Sequence, residues 1–218
     1  MFLLALFMPA ASNPDLDTEA RILEAAHRVF LRKGTAGARM QEIADEADVN
    51  RALLHYYYRS KQKLADAVFL RAARTLFPQL LMVLGSDLSL EEKVRQAIAI
   101  EIPILQANPY MPGYLIAEFQ YRADDLKALL GQVLPLEQVR AHVFGTLQRQ
   151  LDEAADVGTF RPMRAEDFMI TLMSQMIFPF AAAPMLEAVL GLDHDARMAM
   201  IDRRRADLAD AVLRSCAS

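Results

Sequence analysis

The stretch Arg39–Leu64, RMQEIADEADVNRALLHYYYRSKQKL, decides the fold of this chain. Met40, Ile43, Ala44 and Ala47 recur at helical spacing and form one apolar stripe, with Gln41, Glu42, Asp45 and Glu46 on the outer face. The spacing predicts a helix over Met40–Ala47. Asp48-Val49-Asn50 interrupts it with two turn formers around an apolar plug, and Asn50 is a good N-cap for a second helix opening at Arg51. On that second helix Leu54 and Tyr58 lie four apart and face inward with Val49, which distributes Arg51, Ala52, His55, Tyr56 and Tyr57 over the outer surface. Short helix, tight turn, short helix, new helix start: this is the layout of a DNA reader.

Working outward, Thr18 opens a helical period in which Ile22, Ala25, Ala26, Val29 and Phe30 make the stripe and Lys33-Gly34 the basic, glycine-ended stop. Ser12–Asp17 reads as a linker. Met1–Ala11, MFLLALFMPAA, is apolar but lacks a basic leading region and is too short to span a bilayer. It reads as a packing arm or as residues ahead of a true initiator at Met8, with a secretory signal as the third reading. Downstream, Ser60 caps a long helix from Lys61 toward Pro78, which is expected to bend or end it. Ser89-x-x-Glu92 is a capping box opening a helix to about Asn108, with Pro103 inside. Further helices are expected from Tyr114 to Tyr121, from Asp124 to Pro135, over Leu136–Val157, over Arg164–Ala182 and over Asp193–Arg214. No alternating strand is legible. The expected fold class is all-α: an N-terminal extension over 1–16, a three-helix domain with a helix-turn-helix over 17–63, and a larger helical effector-binding and dimerisation domain over 64–218.

A chain of 218 residues, 54% hydrophobic and 24% charged, buries a sizeable core. The formal net charge of -4 does not announce nucleic acid, but Arg21, Arg28, Arg32, Lys33, Arg39, Arg51, Arg59, Lys61 and Lys63 concentrate basic charge near the N-terminus. The single cysteine, Cys216, sits near the C-terminus; it allows no internal disulfide and suits a reducing cytoplasm. Histidines at 27, 55, 142 and 194 lack metal-ligand spacing, and neither a phosphate-binding glycine loop nor a nucleophile elbow is present. The residues therefore suggest no catalysis, no metal and no cofactor.

Ile22-Leu23-x-Ala25-Ala26-x-x-Val29-Phe30, Gly34, Ile43-Ala44-x-x-Ala47-x-Val49 and Leu54-His55-Tyr56-Tyr57-Tyr58-x-Ser60-Lys61-x-x-Leu64 together resemble the DNA-binding domain of the TetR family of transcriptional regulators. The chain departs from the family pattern in having Asp48 where glycine is usual, Ala38 and Arg39 where serine or threonine is usual, and Tyr58 where phenylalanine is usual. The resemblance implies DNA contact by Gln41, Arg51, Ala52, Leu53, His55, Tyr56, Tyr57 and Lys61. Arg39 or the backbone N–H groups near Met40 are expected to substitute for the missing hydroxyl at phosphate, and Asn50 leads the reader helix. It further implies a homodimer on a palindromic double-stranded DNA operator, and a small-molecule effector pocket, in a cytoplasmic protein without a membrane partner. The expected function is a repressor released by a hydrophobic or aromatic ligand; the alternative is a helical small-molecule-binding protein that does not touch DNA.

Raw material for the pocket is sought among Met82, Ile104, Tyr110, Tyr114, Phe119 and Tyr121, and further on Phe144, Met173 and Phe178, with Glu118, Gln120, His142 and Gln175 as polar anchors. Dimer contacts are expected on the last two helices. The candidates are Met169, Met176 and Phe180 on one, and Met198, Ile201, Leu208 and Val212 on the other. The same spacing also suits an ordinary core.

Overall fold

In a computed structural model that describes residues 14–218, the chain forms eleven α-helices and one π-helical turn among the described residues. No strand occurs among them, only an isolated antiparallel bridge between Phe160 and Ala217. Two compact units divide between Val68 and Phe69. That division falls inside a helix, five residues beyond the 63/64 boundary expected from the sequence. Residues 1–13, most of the expected extension, lie outside the described residues, and the first helix already begins at Pro14.

The first unit contains α1 (Pro14–Gly37), α2 (Met40–Glu46), α3 (Arg51–Tyr57) and the start of α4 (Lys61–Leu84). The α1 stripe behaves as its spacing requires, with Ile22, Ala25, Ala26, Val29 and Phe30 at most 1% exposed. At Gly34 φ turns to +66°, a conformation that costs glycine nothing, and one more turn follows before the chain enters α2. Phe30, Ile43, Leu54 and Leu64, one from each helix, are all fully buried and form the centre of this unit.

The second unit is built from the remainder of α4, α5 (Leu90–Ala107), α6 (Met111–Leu130), α7 (Leu136–Val139), a π-turn over Arg140–Phe144, α8 (Gly145–Asp156), α9 (Ala165–Ala181), α10 (Ala183–Leu190) and α11 (His194–Cys216). Helix α5 packs on α9 and α11, and α6 packs on α9. The capping box forms as expected: the Glu92 N–H donates to Ser89 Oγ at 3.3 Å, and the Ser89 N–H donates to Glu92 Oε2 at 3.0 Å.

Several expectations are corrected. Helix α4 continues through Pro78 to Leu84. Tyr114–Tyr121 and the stretch from Asp124 are one helix, α6, with a break at Arg122 (φ −141°, ψ 35°). After α9 the chain bends by 66° into α10, which the sequence reading missed. Pro184 suits the first turn of that helix and Gly191, at φ +66°, its end. Cys216, the last residue of α11, is fully buried, and its carbonyl accepts from the Arg161 N–H at 3.0 Å. By length and mean hydropathy (1.4) α4 could cross a bilayer, yet Leu64, Ala65, Val68, Phe69, Ala73 and Leu80 along it are buried in protein.

Candidate functional site

Helices α2 and α3 are held in place by α1 through both packing and charge. Arg28 Nε and Arg32 Nη2 each reach Glu46 at 2.8 Å, and Lys33 Nζ reaches Glu42 at 2.6 Å. Arg28, then Arg32, hold the Glu46 carboxyl below its usual range; Lys33, followed by the Arg39 N–H, does the same for Glu42. Three of the basic side chains assigned to the N-terminal footprint are thus engaged within the unit. Arg39, Arg51, Arg59 and Lys63 remain exposed.

The turn from α2 to α3 has one strained position. Asp48 sits at φ +52°, the left-handed region. That is the position at which the sequence departs from the resembled pattern by lacking glycine, and the geometry explains why glycine suits it. Asn50 Oδ1 then accepts from the Leu53 N–H at 2.8 Å, so its side chain is used in capping α3.

On α3, Leu54 is fully buried and Tyr58, just past its end, is 8% exposed. The Tyr58 hydroxyl donates to Glu19 Oε1 at 3.0 Å. Burial, and then the Glu19 carboxylate, push its pKa upward, which keeps it a protonated donor. With the inner side fixed, Arg51, Ala52 and Tyr56 face solvent, Tyr56 at 78% exposure. Leu53, His55 and Tyr57 are half-buried, and the Tyr56 and Tyr57 rings meet edge to face at 5.4 Å. Gln41 is exposed on α2, donating to Asp45 Oδ1 at 2.8 Å.

Lys61, expected to contact phosphate, is engaged within the unit. Its Nζ donates to the carbonyls of Ala36 at 2.9 Å and Ala38 at 3.0 Å, so two of its three N–H groups bind the segment that leads into α2.

The second unit holds an apolar cavity of about 170 Å³. Its lining comes from α4 (Leu76, Phe77, Leu80), α5 (Glu101, Leu105), α6 (Pro112, Leu115, Ile116, Phe119) and α9 (Met173, Ile177). Of the expected pocket residues, Phe119 and Met173 line it. Met82 and Tyr121 point into solvent at 73% and 86% exposure, Tyr110 is exposed, and Ile104 and Phe144 are half-buried elsewhere. Tyr114 is buried outside the lining. Glu118 is paired with Arg122 at 3.3 Å, and exposed His142 lies against Gly85, where an added Cβ would stand 3.0 Å from its Cδ2. Phe178 and Gln175 line a different, surface groove with Leu190, Met200 and Arg204.

The sequence reading missed Glu101. It is 4% exposed, and its Oε1 is buried without a hydrogen-bond partner. Burial raises its pKa to about 7. The signal was a lone acid inside the apolar run Ala97–Leu105, AIAIEIPIL.

Five of the seven expected dimer residues are buried within the protomer. Met176, Phe180, Ile201, Leu208 and Val212 are at most 4% exposed and serve the protomer's own core, while Met169 and Met198 are half-buried. The outward apolar side chains of α9 and α10 are Ile170, Phe178, Met185, Val189 and Leu190, each at least half-exposed.

Residues 22–68 match the family model described as bacterial regulatory proteins, tetR family. An HTH-type transcriptional repressor of Streptomyces coelicolor is 48% identical over 59 residues, covering 27% of this chain and 30% of that protein. The HTH-type transcriptional repressor NicS of Pseudomonas putida is 28% identical over 167 residues, covering 73% of this chain and 72% of that protein. The chain spans between 30% and 46% of the length of the first curated relatives it matches. Among solved structures, a TetR family transcription regulator from Marinobacter aquaeolei matches at TM-score 0.63 and 17% identity, covering 94% of this chain and 98% of that one, which shows a shared fold. Residues 22–68 thus carry the domain described as bacterial regulatory proteins, tetR family, and the helical fold that follows is shared with the Marinobacter structure.

Proposed function

We propose that the protein is a homodimeric, sequence-specific DNA-binding repressor of the cytoplasm, released from a palindromic operator when a small hydrophobic molecule fills the cavity lined by Phe119 and Met173. One observation carries the reading: α3 is anchored by Leu54 and Tyr58 while Arg51, Ala52 and Tyr56 stand outward. A helix of that form fits the major groove, where each base pair presents its own donor and acceptor pattern. The repressor names of the Streptomyces and Pseudomonas relatives support the sign of regulation.

A seven-residue helix reads few base pairs, so useful selectivity calls for two copies on half-sites about 34–36 Å apart or a multiple of it. The exposed apolar side chains Ile170, Phe178, Met185, Val189 and Leu190 support α9 and α10 as the surface on which a second copy packs. Release is a population shift, in which the ligand favours a conformer with lower DNA affinity by its differential binding to the two states.

A gel-shift assay with the DNA upstream of the protein's own coding sequence tests the function. Saturable, sequence-selective retardation is expected. Its absence across native fragments would leave a helical small-molecule-binding protein instead.

A further inference from the structure

The cavity between α4, α5, α6 and α9 has an unusual chemical balance. Ten of its eleven lining residues are leucine, isoleucine, phenylalanine, methionine or proline, and the eleventh is Glu101. That carboxyl is almost wholly buried, and its Oε1 has no partner. A buried acid without a partner is expensive: the ionised form loses its hydration and gets nothing in exchange. Glu118, by contrast, has Arg122 beside it at 3.3 Å, whereas Glu101 Oε1 has no hydrogen-bond partner.

We propose that Glu101 is the recognition group of the effector cavity, and that the cavity takes a small hydrophobic amine whose ammonium pairs with the Glu101 carboxylate while its hydrocarbon body fills the apolar walls. The proposal rests on the reading of this cavity as the effector site and names the chemical class of that effector. Other classes fit the walls less well. A hydrocarbon would fill the space and leave Oε1 orphaned. A neutral alcohol would supply one hydrogen bond but leave the carboxylate charge unbalanced. A carboxylic acid would place a second negative charge in a site with no lining cation. An ammonium alone supplies both donor and opposite charge, and the cost of burying the carboxylate is already borne by the folded protein. Volume limits the body: an engineered apolar cavity of about 150 Å³ holds benzene, so a cavity of 170 Å³ suits one ring with a short tail.

The test uses the full chain and three probes of similar shape in isothermal titration calorimetry at pH 8: 2-phenylethylamine, n-propylbenzene and 3-phenylpropionate. The amine is expected to bind at least tenfold more tightly than the hydrocarbon, and the acid not at all. In Glu101→Gln the amine should lose that preference while n-propylbenzene binds as before. Equal binding of amine and hydrocarbon to the parent protein, no binding of the amine, or an unchanged preference in Glu101→Gln would each overturn the proposal. The parent-protein comparison decides even if the variant does not fold. Retardation of upstream DNA is a separate readout on another surface, so a regulator with a different effector class gives a positive gel shift with no amine preference, whereas failure of the regulator reading removes the gel shift.

Discussion

The ammonium of Lys61, at the first position of α4, donates to the carbonyl of Ala38 at 3.0 Å, just ahead of α2. With its second bond, to Ala36 at 2.9 Å, it ties the entry of the reader pair to the helix that follows the reader. Lys61→Met keeps the stem and removes both bonds. The N-terminal unit is expected to lose about 1.5–3 kcal/mol, as for hydrogen bonds from a charged donor. Urea unfolding should show a lower midpoint at unchanged m, and parental stability would contradict the assignment.

Arg51 opens α3 with its side chain exposed and Leu54 buried behind it. Arg51→Ala is expected to weaken operator binding by about 1–3 kcal/mol and to relax preference at one base position. Fluorescence anisotropy on an operator-variant series measures both. A parental profile would remove Arg51 from the reading set.

Asp48 at φ +52° predicts opposite effects for two substitutions. Asp48→Gly relieves the left-handed strain and should raise stability by about 0.5–1 kcal/mol, whereas Asp48→Val adds a β-branched clash and should lower it. Thermal melts of the two variants beside the parent decide; a common direction of change would mean that backbone strain does not govern the turn.

Lys93 is fully buried between α5 and α8, where its Nζ donates to Gln150 Oε1 at 2.6 Å, and Gln150 Nε2 donates to the Leu88 carbonyl at 2.8 Å. Burial, with Arg149 nearby, lowers the Lys93 pKa. Gln150→Ala leaves the amine unsolvated and should cost about 2–3 kcal/mol, most of it recovered when Lys93→Met is added. A double-mutant cycle in urea reads the coupling, and additive losses would refute it.

Glu101 gives a pH dependence of unusual sign. Its folded pKa, raised by burial to about 7, lies above the ordinary 4.5, so between those values the folded state binds the extra proton. Stability therefore declines as pH rises from 4.5 through 7, and the loss persists above 7. Glu101→Gln should match the parent near pH 4.5 and exceed it by roughly 1–3 kcal/mol at pH 8. A constant difference across that range would show that Glu101 does not titrate in a buried setting.

Features carried by neighbours in sequence were readable without coordinates. The turn at Asp48–Asn50, the caps at Asn50 and Ser60, and the capping box at Ser89 depend on contacts three or four residues apart, and local pattern contains all of that information. On α3 the period placed Leu54 and Tyr58 inside and Arg51, Ala52 and Tyr56 outside, whereas His55 and Tyr57, expected outside with them, are half-buried.

What only the tertiary structure decided is which of several equally apolar residues meet which partners. Phe180 and Phe178 are two residues apart in one helix and chemically identical, yet one is 1% exposed and the other 53%, because packing across the unit buries one face of α9. The same holds for charge. Arg28 and Arg51 are both arginines of the N-terminal unit, but Glu46, eighteen residues from Arg28, engages it at 2.8 Å, while Arg51 is exposed. Glu101 joins this group, since an acid in an apolar helix becomes a recognition point only when helices distant in sequence enclose it and leave one of its oxygens without a partner. Sequence alone determined the helices and the reader motif through short-range periodicity; burial, pairing and the cavity were set by long-range packing, which local residue order does not encode one position at a time.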